Sequence, residues 1–428
     1  MFSSIWIVAA LVSCGTAQKV TIQNGTILGG KCLDTETNYF FSIPFAQPPV
    51  GRLRLKAPLP YNVAYGGMLN GTVKAPSCIQ FNKVFAESNA HSEDCLYLDV
   101  WTPSSATADS RLPVKVWLYG GVNEAGGISD PTYDGCYATS SSIIVSINYR
   151  VGPLGFLALE DLGLHGNFGI SDQLLALQWI QENIHAFGGD KSRVMLYGQS
   201  AGATDAYAIS TLPQAPKLLY AAIFESGGGR EFASVGEVQH WQRQFLRVLN
   251  CSATDLSCIV AAPPDVFVAA EAQMYHPTVP AVTTPFAYQG ARTRWGPVVD
   301  GHIIAELPTK VGNKVPAIFG FNADEGTLFV LGNYAKDLSL LNQSHYDDFL
   351  SYNFGPLATK VNATYSATKF QDAQFPIFAA MSTVFGEVTF KCPAYRALVT
   401  SERTGVPRGL YVYGSRAVAG GVNEPSVD

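Results

Sequence analysis

Short apolar runs rich in β-branched and aromatic residues recur at 114–119, 143–148, 193–197, 221–225, 315–319 and 410–413. They are continuous, as expected of strands covered on both faces of a mostly parallel sheet. Helical patterns lie between them. The clearest starts near Ser171, sets Leu174, Leu177, Ile180 and Ile184 on one face, and stops at Gly188-Gly189. Alternating strands and helices predict an α/β architecture with a large, mostly parallel central sheet flanked by helices. From Val20 to about Trp101, apolar residues alternate with polar ones between many turns, which predicts antiparallel strands at a sheet edge. Pro and Gly are spread without a low-complexity linker, and no internal repeat is visible. One large domain over 18–428 is expected, with 231–294 as cap or lid because amphipathic helix and Pro-rich loop interrupt the strand series there.

The chain carries 28 Lys+Arg against 34 Asp+Glu, a net charge of −6, and only 14% of its residues are charged. Ample apolar surface excludes a disordered chain, and the absence of a basic footprint argues against nucleic acid as a partner. At the N-terminus an apolar run from Ile5 to Val12 is too short to cross a bilayer, and the small residues Gly15 and Ala17 precede Gln18. A secretory signal over 1–17 is expected, although no Lys or Arg precedes the run. No later segment is apolar enough for a transmembrane helix. Secretion would make glycan acceptors of the sequons at Asn24, Asn70, Asn250, Asn342 and Asn362. It also favours disulfides. The spacings suggest Cys78 with Cys95 and Cys251 with Cys258, with an odd cysteine left over.

Residues Gly198-Gln199-Ser200-Ala201-Gly202 match Gly-X-Ser-X-Gly between a predicted strand and a helix-prone segment, 201–212. A sharp strand-to-helix turn exposes a serine oxygen, flanking glycines relieve crowding, and the helix N-terminus favours developing negative charge. Ala201 supplies one backbone donor for an oxyanion by position, and the glycine-rich loop Tyr119-Gly120-Gly121-Val122 follows the strand at 114–118.

Together these segments make the chain resemble the type-B carboxylesterase and lipase family, an α/β-hydrolase group that includes fungal secreted lipases and cholinesterases. The resemblance extends through Glu93-Asp94-Cys95-Leu96, Asn148-Tyr149-Arg150, Gly166-Asn167-Phe168-Gly169, Glu225-Ser226-Gly227 and Gly320-Phe321-Asn322-Ala323-Asp324-Glu325-Gly326. It implies Ser200 as nucleophile and Glu325 as the acid that orients a base. It implies Gly121, Val122 and Ala201 as the oxyanion donors, and Ser226 as a serine close to the triad acid. Both suggested disulfides fall where the family has its own. Val122 departs from the family's Gly-Gly-Gly loop, and a β-branched residue there restricts the backbone and narrows the space beside the acyl carbon.

The expected order along the chain is serine, acid, histidine. Of seven histidines only His345 follows Glu325, in a polar context that reads as solvent-facing, and the chain stops 103 residues past Glu325. The domain is therefore expected to be incomplete at its C-terminus and inactive as written, since losing one triad member costs about 10⁶ in kcat. The alternative is a non-catalytic secreted binding protein on the same scaffold. The partner expected of an enzyme is a small-molecule or lipid ester, and neither metal nor organic cofactor is required.

Overall fold

The computed structural model describes residues 18–83, 85–86, 89–274, 295–334, 337–403 and 405–413. The predicted signal over 1–17, the part of the predicted cap over 275–294, and 414–428 lie outside the described residues.

The main sheet has 11 strands. Strands β1 (Gln18–Ile22), β2 (Gly25–Lys31), β3 (Thr37–Pro44) and β4 (Tyr97–Pro103) form an antiparallel edge, as the alternating N-terminal pattern predicts. The short strand Met68–Asn70 adds to β2 in parallel. Beyond β4 come β5 (Leu112–Leu118), β6 (Ile143–Ile147), β7 (Gly189–Gln199), β8 (Ala221–Glu225), β9 (Ala317–Asn322) and β10 (Arg408–Tyr413). They lie in the order β4-β6-β5-β7-β8-β9-β10, and all pairings from β6 to β10 are parallel. Val116, Leu118, Val145, Ile147, Leu196 and Phe224 are each 0% exposed; β6 is buried along its whole length as expected of a strand covered on both faces, whereas β8 buries only alternate residues and Ile318 of β9 is 41% exposed.

The helix expected from Ser171 begins three residues earlier. Helix α1 (Phe168–Asn183) follows Asn167, which takes φ 55° and exchanges two hydrogen bonds with the Val298 backbone, at 2.8 and 3.0 Å. Leu177, Ile180 and Ile184 are fully buried, and a 3₁₀ turn closes the segment at Gly188. Helix α2 (Ala201–Thr211) is buried along its whole length.

The described part of the predicted cap is α3 (Val235–Val248), α4 (Leu256–Ala261) and α5 (Pro264–Met274). Ser234 and Glu237 form a reciprocal capping box on α3. This subassembly is tied to the body: Arg54 pairs with Glu93 at 2.5 Å and donates from Nη1 to the carbonyls of Val260 and Ala262. Phe245 meets Phe267 and Trp295 ring to ring. After β9 come α6 (Thr327–Tyr334), α7 (Gln343–Phe354), α8 (Pro376–Gly386) and α9 (Cys392–Arg403).

Both suggested disulfides are formed, Cys78–Cys95 and Cys251–Cys258. A third, Cys32–Cys136, joins residues 104 apart, and among the described residues the cysteine left over is Cys392. Among the described residues no helix is long and apolar enough to cross a membrane.

Candidate active site

The C-terminal ends of β7, β8 and β9 lie side by side, with Gln199 opposite Glu225 and Glu225 opposite Gly320. Ser200 follows β7 directly and caps α2 with φ 55° and ψ −120°, a conformation that non-glycine residues adopt only at a cost. Its N–H donates to the Glu225 carbonyl at 2.8 Å, and its own carbonyl accepts from the Thr204 N–H at 3.0 Å. The turn works only because neighbouring backbones touch. A Cβ on Gly202 would run into the Leu118 carbonyl oxygen, and one on Gly120 would come within 3.0 Å of Ser200 Cβ. The serine is half-buried.

The glycine-rich loop crosses beside it. Gly121, Val122 and Asn123 have φ of 114°, 54° and 58°, and the Gly121 carbonyl accepts from the N–H groups of Glu124 and Ala125. The N–H groups of Gly121, Val122 and Ala201 take part in no hydrogen bond among the described residues. Val122 carries a β-branched side chain in a left-handed conformation, which is the physical content of its departure from a run of glycines.

Glu325 lies three residues past β9. Its Oε1 accepts from the Asn322 N–H at 2.8 Å, and Gly326 packs so closely on the Ser382 carbonyl that no side chain fits there. Ser226, with φ 56° and 5% exposure, sits between: its N–H donates to Gly320 at 2.7 Å, and a Cβ on the adjacent Gly227 would meet the Ser200 carbonyl oxygen. Burial raises the carboxyl of Glu225 above its ordinary value.

No described histidine hydrogen-bonds to Ser200 or Glu325. His91, His165, His185, His240, His302 and His345 are all at least partly exposed, and His276 lies outside the described residues. His345 stands at the start of α7, where its ring closes a capping box with Asn342. It is therefore solvent-facing but helical.

One group escapes a reading of the sequence. Asp205 on α2 is fully buried and accepts from Asn123 Nδ2 at 3.0 Å and Gln173 Nε2 at 2.7 Å. It is the single charged residue of an otherwise uncharged helix. That isolation is the signal the sequence offers.

The model of the carboxylesterase family matches residues 16–421. Crystal protein of Dictyostelium discoideum is 34% identical over 417 residues, covering 94% of this chain and 72% of that protein. Secreted lipase 1 of Botryotinia fuckeliana is 32% identical over 432 residues, covering 87% of this chain and 73% of the lipase. Among solved structures, PNB esterase superposes with a TM-score of 0.78 at 28% identity, over 96% of this chain and 83% of the esterase. The mixed sheet with its parallel run, the flanking helices and these matches lead to one conclusion: the chain belongs to the carboxylesterase family, carboxylic ester hydrolases of the α/β-hydrolase fold.

Proposed function

We propose that the chain is a secreted carboxylic ester hydrolase that works through an acyl-enzyme on Ser200. The observation that carries this is the unpaired N–H groups of Gly121, Val122 and Ala201 around a serine held at φ 55°. In the reaction, Ser200 Oγ attacks the ester carbonyl carbon and its proton passes to a base. The carbonyl oxygen becomes an oxyanion facing the three donors, and the alcohol leaves with a proton. Water then attacks the acyl-serine and releases the acid. Glu325 is the acid that orients the base, with Ser226 beside it. Each oxyanion donor of this kind is worth about 10²–10³ in kcat. Among the described residues no histidine hydrogen-bonds to Ser200 or Glu325, so the base that takes the Ser200 proton is left unassigned. Removing one triad member costs as much as about 10⁶.

Three disulfides and the likeness to a secreted lipase support secretion, with a signal over 1–17 and one domain over 18–428. Asn70, Asn250 and Asn342 are exposed and suit glycans. Asn24 is partly buried and its amide already donates to the carbonyls of Tyr61 and Val63. Asn362 is partly buried as well. The substrate is a small-molecule or lipid ester.

A fluorophosphonate probe tests the site without requiring turnover. The expected result is a single adduct on Ser200 by intact mass and peptide mapping, absent in Ser200→Ala. A wild-type chain that takes no label, or a Ser200→Ala chain that still does, refutes the assignment.

A further inference from the structure

The loop that bears two of the three donors needs an anchor, because Gly121, Val122 and Asn123 are consecutive residues at positive φ. Backbone contacts supply part of it: the Gly152 N–H donates to the Asn123 carbonyl at 2.6 Å. The side chain of Asn123 turns the other way, into the protein, and is 3% exposed. There it meets Asp205. The two oxygens of that carboxylate are divided between elements, Oδ1 accepting from Asn123 of the loop and Oδ2 from Gln173 of α1. Asp205 and Gln173 are each 0% exposed. Asn123 Oδ1 and Gln173 Oε1 are buried without a hydrogen-bond partner, so both amides spend their hydrogen-bonding on the one carboxylate.

We propose that Asp205 is a positioning residue for the oxyanion loop: its carboxylate clamps Asn123 to Gln173 and thereby sets the N–H groups of Gly121 and Val122 at the angle Ser200 requires. This rests on the ester-hydrolase reading of Ser200. A hydrogen bond to a charged acceptor is stronger than one between neutral groups, so the clamp is tightest when Asp205 is ionised. Burial pushes its carboxyl up to about 7, while the two amide contacts pull the other way. The groups facing it are Asn123 from the loop, Gln173 from α1 and the phenol of Tyr149 beyond β6, itself raised by burial and by the Asp205 charge. The Tyr149 hydroxyl donates to the Tyr119 carbonyl and its ring stacks on Tyr119. Asp172, next to Gln173, is held by Arg150. No charged side chain contributes to the Asp205 shift.

The test uses the full chain as wild type, Asp205→Asn, Asp205→Leu and Asn123→Ala, labelled with a neutral fluorophosphonate. Loop donors act on the charge that develops at the phosphoryl oxygen, so Asp205→Leu is expected to slow the labelling rate constant about tenfold at an unchanged half-saturating probe concentration. Asp205→Asn keeps the shape and can donate to one of the two unpartnered amide oxygens. It should stay within about twofold of wild type at pH 6 and lack the wild-type gain on passing to pH 8. Combining Asn123→Ala with Asp205→Leu should add nothing to the slower single variant. Equal rates in all variants at both pH values overturn the proposal. If the wild type takes no label, the ester-hydrolase reading fails and hydrogen–deuterium exchange decides the clamp. Faster exchange of 119–127 in Asp205→Leu than in Asp205→Asn, with 193–199 unchanged, upholds it. Unchanged exchange in 119–127 overturns it.

Discussion

Val122→Gly is the substitution whose outcome separates strain from packing at the candidate site. Valine at φ 54° lies where L-residues incur about 1–2 kcal/mol, and its β-branch puts it at the upper end. Glycine removes that cost but adds about 0.5–1 kcal/mol of chain entropy on folding. The side chain is only half-buried, so deleting it forfeits less than the roughly 1.5 kcal/mol that burying a valine completely provides. These effects nearly cancel. The variant is expected to lie within about 1 kcal/mol of wild type, whereas truncating a valine in an unstrained core would be plainly destabilising. Urea unfolding followed by fluorescence measures this, read at the midpoint with the slope checked for constancy. The functional counterpart is steric: if the Val122 side chain borders the acyl space as proposed, removing its three carbons should raise the labelling rate of a bulky phosphonate over a methyl phosphonate by about tenfold. A stability loss beyond about 2 kcal/mol would show that packing at Val122 outweighs its backbone strain, and an unchanged rate ratio would show that its side chain does not border the acyl space.

Two further outcomes follow from buried charges. Asp172 and Arg150 are 0% and 4% exposed and share three hydrogen bonds of 2.7–3.0 Å, so Asp172→Ala, which strands the guanidinium, is expected to cost about 3–5 kcal/mol in the same urea assay. A loss below about 1 kcal/mol would mean that water reaches Arg150 and replaces the pair. Asp99 is fully buried, and burial pushes its carboxyl up to about 7 despite the Ser42 N–H at 2.8 Å. Between about pH 4 and pH 7 the native state therefore holds a proton that the unfolded chain has released, and stability falls as pH rises through that window. Asp99→Asn should flatten part of this fall, leaving the share due to Asp205. Urea midpoints at pH 4.5 and 7.5 that change equally in wild type and variant would remove Asp99 from the account.

The parts of the molecule legible in the sequence are those set by local pattern. Strands β5 to β9 each bury an apolar row, so all five are legible, and their predicted bounds miss by at most four residues at either end: β7 starts at Gly189 where the sequence suggests Arg193, and β9 runs Ala317–Asn322 where it suggests 315–319. The Ser200 turn is legible because its requirements are short-range: glycine on either side, a strand before and a helix after. Three features are not. The Cys32–Cys136 bridge joins positions 104 apart, and spacing alone cannot pair them. The clamp on Asn123 is assembled from three distant segments, which no local pattern connects. The segment 231–294 reads as cap or lid because amphipathic helix and Pro-rich loop interrupt the strand series, and the sequence does not show that Arg54 and the rings around Trp295 seal its described part to the body.

Nine non-glycine residues among those described take positive φ, and four of them, Val122, Asn123, Ser200 and Ser226, converge on the ends of β5, β7 and β8. At about 1–2 kcal/mol each, several kcal/mol of backbone strain are stored in one small region, which a domain of ordinary marginal stability tolerates only if the surroundings over-determine it. They do so by donor and acceptor. Ser200 is held to Glu225, Ser226 to Gly320 and Asn123 to both Gly152 and Asp205, each at 3.0 Å or less. A binding surface that only had to present side chains would have no use for strained backbone at these positions. The backbone donors proposed for the oxyanion would need it, because the direction of an N–H group is fixed by φ and ψ and not by a rotamer. The distribution of strain thus favours an ester hydrolase over an adhesive module on the same fold, on grounds independent of which side chain serves as base.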